Sequence, residues 1–298
     1  PTISQFLENN GQDIRTLYQS NNCWTSLKRA AGRIAYKDDV ITKRLEKGMA
    51  NLLHHNTASF LHFIELFIDG SKQYLDTKNY KYALMLYYAL FQDRLDKTGF
   101  ASIYEALELI HKEMYSYFRQ EISEIISYLL AHLQLKTMPL GEDVLPGLEL
   151  YGCYTREEIF TLAGRQTEAR KMQGSVTGVF NLSEHNATLL FVTLNKSDKD
   201  FSPSTQYNDY LINEHYFHWQ SQNTDSHQNN GGQRYTKQAD TQNKIILFVR
   251  EEKKDGYGNT CPFHCFGLVE YMSSHDDFPM NITWKLQQPA MAQYVKAI

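Results

Sequence analysis

The spacing of apolar residues along the chain changes near residue 164. Before about residue 135 apolar positions recur every three to four residues; after 164 they recur every second residue or closer. TASFLHFIELFIDG (57–70) has apolar side chains at helical spacing and stops at Gly70, which predicts a helix. NYKYALMLYYALFQDRL (79–95) reads as a buried or amphipathic helix. EALELIHKEMYSYFRQEISEIISYLLAHL (105–133) keeps the same period as one bent helix or two. Asn22-Cys23-Trp24-Thr25 reads as a helix start leading into SLKRAAGRIA. KTMPLGEDVLPGLEL (136–150) carries two prolines, loses the period and reads as a linker. TREE (155–158) is a capping box, with Thr155 as cap and Glu158 reaching back, for a helix that runs to about Ala163 and ends at Gly164.

ATLLFVTLNK (187–196), NKIILFVREE (243–252), PFHCFGLVEY (262–271) and NITWKLQQ (281–288) are rich in β-branched and aromatic residues and read as strands. HYFHWQSQ (215–222), read as a strand, puts Phe217, Trp219 and Ser221 on one face and His218, Gln220 and Gln222 on the other. Both faces cannot line one pocket. DKDFSPSTQ (198–206), QNTDSHQNNGGQ (222–233) and EKKDGYGN (252–259) read as loops, the second as a flexible lid or tip. The expected fold class is α+β: an all-helical domain over 1–135, a linker over 136–150 and a mostly β domain over 151–298. About five or six short strands with long loops suggest a small barrel.

Composition adds bounds. The 298 residues are 42% hydrophobic and 21% charged, an ordinary globular balance. No apolar run reaches the roughly 18 residues of a transmembrane candidate, and no signal peptide opens the chain, so no membrane partner is expected. It starts at Pro1, so either the initiator Met was removed or this is part of a longer protein. Sparse, unevenly spaced cysteines (Cys23, Cys153, Cys261, Cys265) suggest a reducing, cytoplasmic setting. Net charge is −4, and neither half is basic, so any nucleic-acid contact must be local.

Familiar chemistry is missing. P-loop, HExxH, GxSxG and GxGxxG patterns do not occur. Cys261-x3-Cys265 with His264 offers half a metal site with no second half, and buried strand cysteines are the better reading. His54-His55 and His62 have helical spacings that could ligate a metal or simply flank a helix. Asp276-Asp277 reads as a solvated turn and Glu251-Glu252 as a strand end. No catalytic residue, metal or cofactor is therefore expected within this fragment.

The second half carries an ordered series: YTREEI (154–159), LFVTLNK (190–196), YNDYLI (207–212), FHWQSQ (217–222), GQRY (232–235), LFVRE (247–251), FGLVEY (266–271) and PMNITWKL (279–286). The series resembles an uncharacterised domain family at the C-terminus of bacterial superfamily-2 helicases, many of which also carry an N-terminal phospholipase-D-type nuclease. The better-understood relatives it resembles are the SauUSI-type, modification-dependent (type IV) restriction enzymes of anti-phage defence. The resemblance covers about 150–298, and more weakly SQFL (4–7) and CWTSL…AAG (23–32). It implies a β domain similar to the SRA and PUA-like base readers. It also implies double-stranded DNA carrying 5-methylcytosine or 5-hydroxymethylcytosine as partner, and ATP-driven helicase and nuclease domains in the same bacterial cytoplasmic polypeptide. The helical half would couple recognition to the motor; the alternative is a scaffold that holds helicase and nuclease together without reading bases.

A flipped cytosine needs an aromatic platform worth ~1–3 kcal/mol, an acceptor for its N4 amino group and donors for O2 and N3. On that reading Tyr207, Tyr210 and Trp219 stack, Asp209 accepts from N4, and Gln220, Ser221 and Gln222 donate. Alternatives stand beside these roles: Trp219 as a core aromatic, Asp209 as a turn cap, the Gln-Ser-Gln as a satisfied bulge. Arg165, Arg170, Lys171, Arg234, Tyr235 and Lys237 are the candidates for the DNA backbone, Arg234 as a glycine-hinged loop residue.

Overall fold

A computed structural model describes residues 1–172, 177–196 and 208–296. The chain divides into two compact units. Pro1–Thr137 with Glu157–Gln173 form a helical unit; Met138–Arg156 with Gly174–Ile298 form a sheet unit. The helical unit holds α1 (Ile3–Asn10), α2 (Trp24–Ala30), α3 (Val40–Ala50), α4 (Ala58–Ile68), α5 (Tyr80–Phe91), α6 (Leu95–Thr98), α7 (Ile103–Leu109), α8 (Ser116–Ala131) and, from Glu157 on, α9 (Arg156–Leu162).

Local signals explain many of the helix ends. Cys23 and Ser26 form a reciprocal cap at the start of α2, where the sequence predicted a helix to begin. The Trp24 and Thr25 N–H groups of that first turn donate to the fully buried Glu121 carboxylate of α8, at 2.7 and 2.8 Å. An anion suits the positive end of a helix, and burial raises the pKa of that carboxyl. The 105–133 stretch is two helices. The backbone turns extended at Lys112, and Arg119 of α8 donates to the freed Ile110 carbonyl at 2.9 Å. Gly164, at φ +74°, follows α9 as expected. His54 and His55 sit on the turn after α3, not on a helix; His62 alone is helical, beside Glu65.

The sheet unit contains β1 (Met138–Pro139), β2 (Glu149–Leu150), β3 (Cys153–Tyr154), β4 (Val179–Leu182), β5 (Ala187–Asn195), β6 (Tyr210–Asn213), β7 (Tyr216–Gln220), β8 (Lys244–Glu252), β9 (Phe263–His275) and β10 (Asn281–Leu286). The stretch read as a linker is packed: β1 and β2 pair, and Val144, Leu145 and Leu148 are buried. The other eight strands form one mixed sheet in the order β4-β5-β8-β9-β10-β7-β6, with β3 added on β9. Among the described strands only β5 and β8 run parallel, and both are buried along nearly their whole length, as parallel strands covered on two faces must be. The described residues of the unit also include the short helices α10 (Asn230–Thr236), α11 (Gln238–Thr241) and α12 (Ala292–Val295).

The α+β class holds, but the sheet is not the closed barrel that was expected. Its path ends at β4 on one side and β6 on the other, and closure requires the two end strands to pair. The core on one face gathers Phe217, Trp219, Tyr235, Phe266, Ile282 and Trp284. Elsewhere in the sheet Phe191 stacks on Phe248 across the parallel pair, with centroids 5.2 Å apart.

Candidate nucleic-acid interface

The alternation read in 215–222 is realised in β7: Phe217 and Trp219 point into the core, while His218 and Gln220 lie on the opposite, partly exposed face. The core alternative for Trp219 is the one observed. Its ring is 4% exposed and meets Tyr235 edge-on at 5.2 Å and Trp284 at 6.2 Å. Stacking on a flipped base is closed to it in this structure. Ser221 is buried as well. Its hydroxyl accepts from Met280 N at 2.9 Å and donates to the Gln222 carbonyl at 3.1 Å, fastening the strand end to the chain before β10. Gln222 is half-buried, and its carbonyl also accepts from Asp225 N at 2.9 Å.

Asp209 is occupied by the protein itself. Its carboxylate takes the Lys196 ammonium at 2.6 Å through one oxygen and the Gln220 N–H at 2.9 Å through the other. The side chains are 3% and 9% exposed, so this is a buried ion pair at the β6–β7 edge. Burial raises the Asp209 pKa, while Lys196 and the Gln220 N–H pull it back down. At 3% exposure the carboxylate is screened from a cytosine N4 in this structure.

What β6 and β7 expose is different. Tyr210 is 44% exposed and lies flat on His218, with centroids 4.6 Å apart and planes 13° from parallel. The two residues are directly opposed in the β6–β7 ladder. His218 Nδ1 meets the Asn208 carbonyl at 2.9 Å; Nε2 has no partner among the described residues. Gln220 accepts from Asn208 N at 2.6 Å and donates to Asn281 Oδ1 at 3.0 Å. The result is an exposed aromatic pair bordered by oriented amides. Of the base-pocket candidates among the described residues, only Tyr210 belongs to this face. Tyr207 lies outside the described residues, as does the 198–206 loop.

The loop read as a mobile lid is folded down. Asp225 and Ser226 are buried, and α10 begins at Asn230 and takes in the glycine pair. His227 closes it: Nδ1 meets Asp277 Oδ1 at 2.8 Å and Nε2 meets Ser274 Oγ at 2.7 Å. Hydrogen bonds from His227 lower the Asp277 pKa, so that residue is a clasp as well as a solvated turn. Gly231 and Gly232 serve close packing, not a hinge. A Cβ on Gly232 would stand 2.0 Å from the Ser226 carbonyl oxygen.

Arg234 is therefore a half-buried helical residue beside Asp225, which attracts it electrostatically. Tyr235 is 1% exposed and belongs to the core, out of reach of a phosphate. Lys237 is exposed at the end of α10, its ammonium donating to Gln233 at 3.1 Å. Arg165, Arg170 and Lys171 belong to the helical unit. Arg165 is half-buried, Arg170 is exposed, and the exposed Lys171 donates to the Gln92 carbonyl at 2.6 Å. The six backbone candidates are thus divided between the units.

Cys261, Cys265 and His264 do not gather around a common point. Cys265 is fully buried, its thiol pushed up to about 12, and His264 Nδ1 is bound to the Tyr294 hydroxyl at 2.6 Å. A model described as a domain of unknown function, DUF3427, matches residues 148–297. The chain belongs to the DUF3427 family. Domains of this family are found in helicase-associated proteins. The DUF3427 match begins at the buried Leu148 and takes in β2 through β10, including the Tyr210–His218 face. No curated protein matches the chain. No helix among the described residues is long and apolar enough to cross a membrane.

Sequence reading missed Lys196 and the pairing of Tyr210 with His218. Lys196 was legible only as the polar end of a strand. Its partner lies 13 residues away, beyond a loop with no periodic signal.

Proposed function

We propose that the DUF3427 region is a target-reading module for double-stranded DNA carrying a modified cytosine, 5-methyl or 5-hydroxymethyl. It would work within a larger bacterial, cytoplasmic helicase–nuclease of the modification-dependent restriction class, with the helical unit coupling it to the motor. The reading rests on the ordered motif resemblance and on the family's helicase association. The observation that carries it to particular residues is the Tyr210–His218 stack on the exposed edge of the sheet.

A base turned out of the duplex needs an aromatic plane to replace its lost neighbours, and stacking restores ~1–3 kcal/mol. Tyr210 offers that plane, His218 backs the ring on its other face, and the Gln220 and Asn281 amides border the pair. Asp209 and Lys196 act one step back by holding β6 in place against β7. With 14 Lys and Arg against 17 Asp and Glu over residues 148–297, a net charge of −3, the module relies on a few cations, Lys237 and Arg234 among them, for phosphate contact.

The test is a titration of the chain against two matched duplexes at fixed salt, one with a single 5-methylcytosine and one with plain cytosine. Tighter binding to the modified duplex, lost by ~1–3 kcal/mol in a folded Tyr210→Ala variant, is the expected result. Equal affinities with a 5-hydroxymethylcytosine duplex included would overturn modified-base reading. No binding to any duplex would favour the scaffold role between helicase and nuclease.

A further inference from the structure

A second cluster stands apart from that face, within the helical unit. His54 and His55 lie on the turn between α3 and α4, and Glu158 reaches them from α9, 104 residues beyond His54. His54 Nε2 is 2.7 Å from Glu158 Oε1, and His55 Nδ1 is 3.7 Å from Glu158 Oε2. The two imidazoles are 4.1 Å apart, tilted by 38°. One ligand atom from each of the three residues lies within 4.8 Å of the other two. Among the described residues this is the one group of three or more His, Cys, Asp or Glu with such convergence.

Hydrogen bonding accounts for only part of the arrangement. The His54–Glu158 contact is a good hydrogen bond, but 3.7 Å is too long for one between His55 and the same carboxylate. Bond lengths of ~2.0–2.2 Å to a tetrahedral zinc ion place neighbouring ligand atoms about 3.4 Å apart, close to the His55–Glu158 spacing. The shorter His54–Glu158 contact is bridged by a proton that an arriving cation would displace. Two imidazole nitrogens and one carboxylate oxygen form a donor set of the zinc class, not of calcium or magnesium. Access is open on one side: the His54 and Glu158 side chains are 15% and 14% exposed, against 2% for His55.

We propose that His54, His55 and Glu158 form a binding site for a zinc-class divalent transition-metal ion, with a further coordination position left to water. The ion would staple α9 to the α3–α4 turn and so fix the segment that returns from the sheet unit to complete the helical unit.

The test uses the whole chain stripped with a chelator, titrated with Zn²⁺ alone against a chromophoric competitor, and separately with Co²⁺ followed by visible absorption. One equivalent of zinc is expected, with cobalt d–d bands and no thiolate charge-transfer band. His54→Ala and Glu158→Gln should each weaken zinc binding at least about tenfold. Glu158→Gln keeps the size of the side chain and an acceptor for His54, and circular dichroism checks that both variants are folded. Cys261→Ser should leave binding unchanged. Binding that survives His54→Ala and Glu158→Gln would overturn the proposal. So would a charge-transfer band lost in Cys261→Ser, or no binding at micromolar zinc.

Discussion

Replacing Asp209 with Ala separates a structural carboxylate from a base-reading one. The wild-type side chain is 3% exposed and holds the 9% exposed Lys196 ammonium at 2.6 Å and the Gln220 N–H at 2.9 Å. Truncation leaves an ammonium without its buried counter-charge, at ~3–5 kcal/mol, and an N–H without its acceptor, at ~1–3 kcal/mol. Because the same local relaxation relieves both, the expected total is ~3–5 kcal/mol. The assay is urea unfolding at pH 7 followed by tryptophan fluorescence. Two of the three tryptophans, Trp219 and Trp284, report on the sheet unit and Trp24 on the helical one. The sheet transition should move to lower urea with its slope unchanged. Lys196→Met should fall by a similar amount, and the double variant Lys196→Met/Asp209→Leu should recover most of the loss, since an apolar pair needs no desolvation. A folded Asp209→Ala protein within ~1 kcal/mol of wild type would refute the buried-clamp account and return the carboxylate to the list of groups available to a base.

Trp219→Ala should cost the sheet unit ~3–5 kcal/mol, read by the same unfolding, while the DNA affinity of the folded fraction stays unchanged. Gly232→Ala should destabilise by ~1–3 kcal/mol despite alanine's better helix propensity, because its Cβ would meet the Ser226 carbonyl at 2.0 Å and Met280 Sδ at 2.5 Å. Burial lowers His264 from 6.5 to about 4, so below pH 6.5 the unfolded chain takes a proton that the folded one refuses. Stability should therefore fall as pH drops from 6.5 towards 4, by ~2 kcal/mol from this residue at pH 5. A His264→Gln variant followed by urea unfolding at pH 7.5 and pH 5 should show a correspondingly smaller loss.

What the residues disclosed by themselves was local. Helix starts at Cys23 and stops at Gly164, the two-residue alternation of β7 and the α+β division all depend on neighbours within about four positions, and those neighbours are written in order. Alternation could show that Trp219 and His218 face opposite ways, but not which way is inward; that follows from the core that β9, β10 and α10 assemble. Nor could it choose between barrel and open sheet, because closure depends on whether β4 and β6 meet, a relation between chain segments with no shared local pattern. The glycine pair in 231–232 read as freedom, and only the approach of the Ser226 backbone shows it to be close packing. The ion pair of Lys196 with Asp209 and the convergence of Glu158 on His54 and His55 arise the same way. Charges and ligands far apart in the chain reveal their purpose only once folding has placed them within a few ångströms and removed the water that would otherwise separate them.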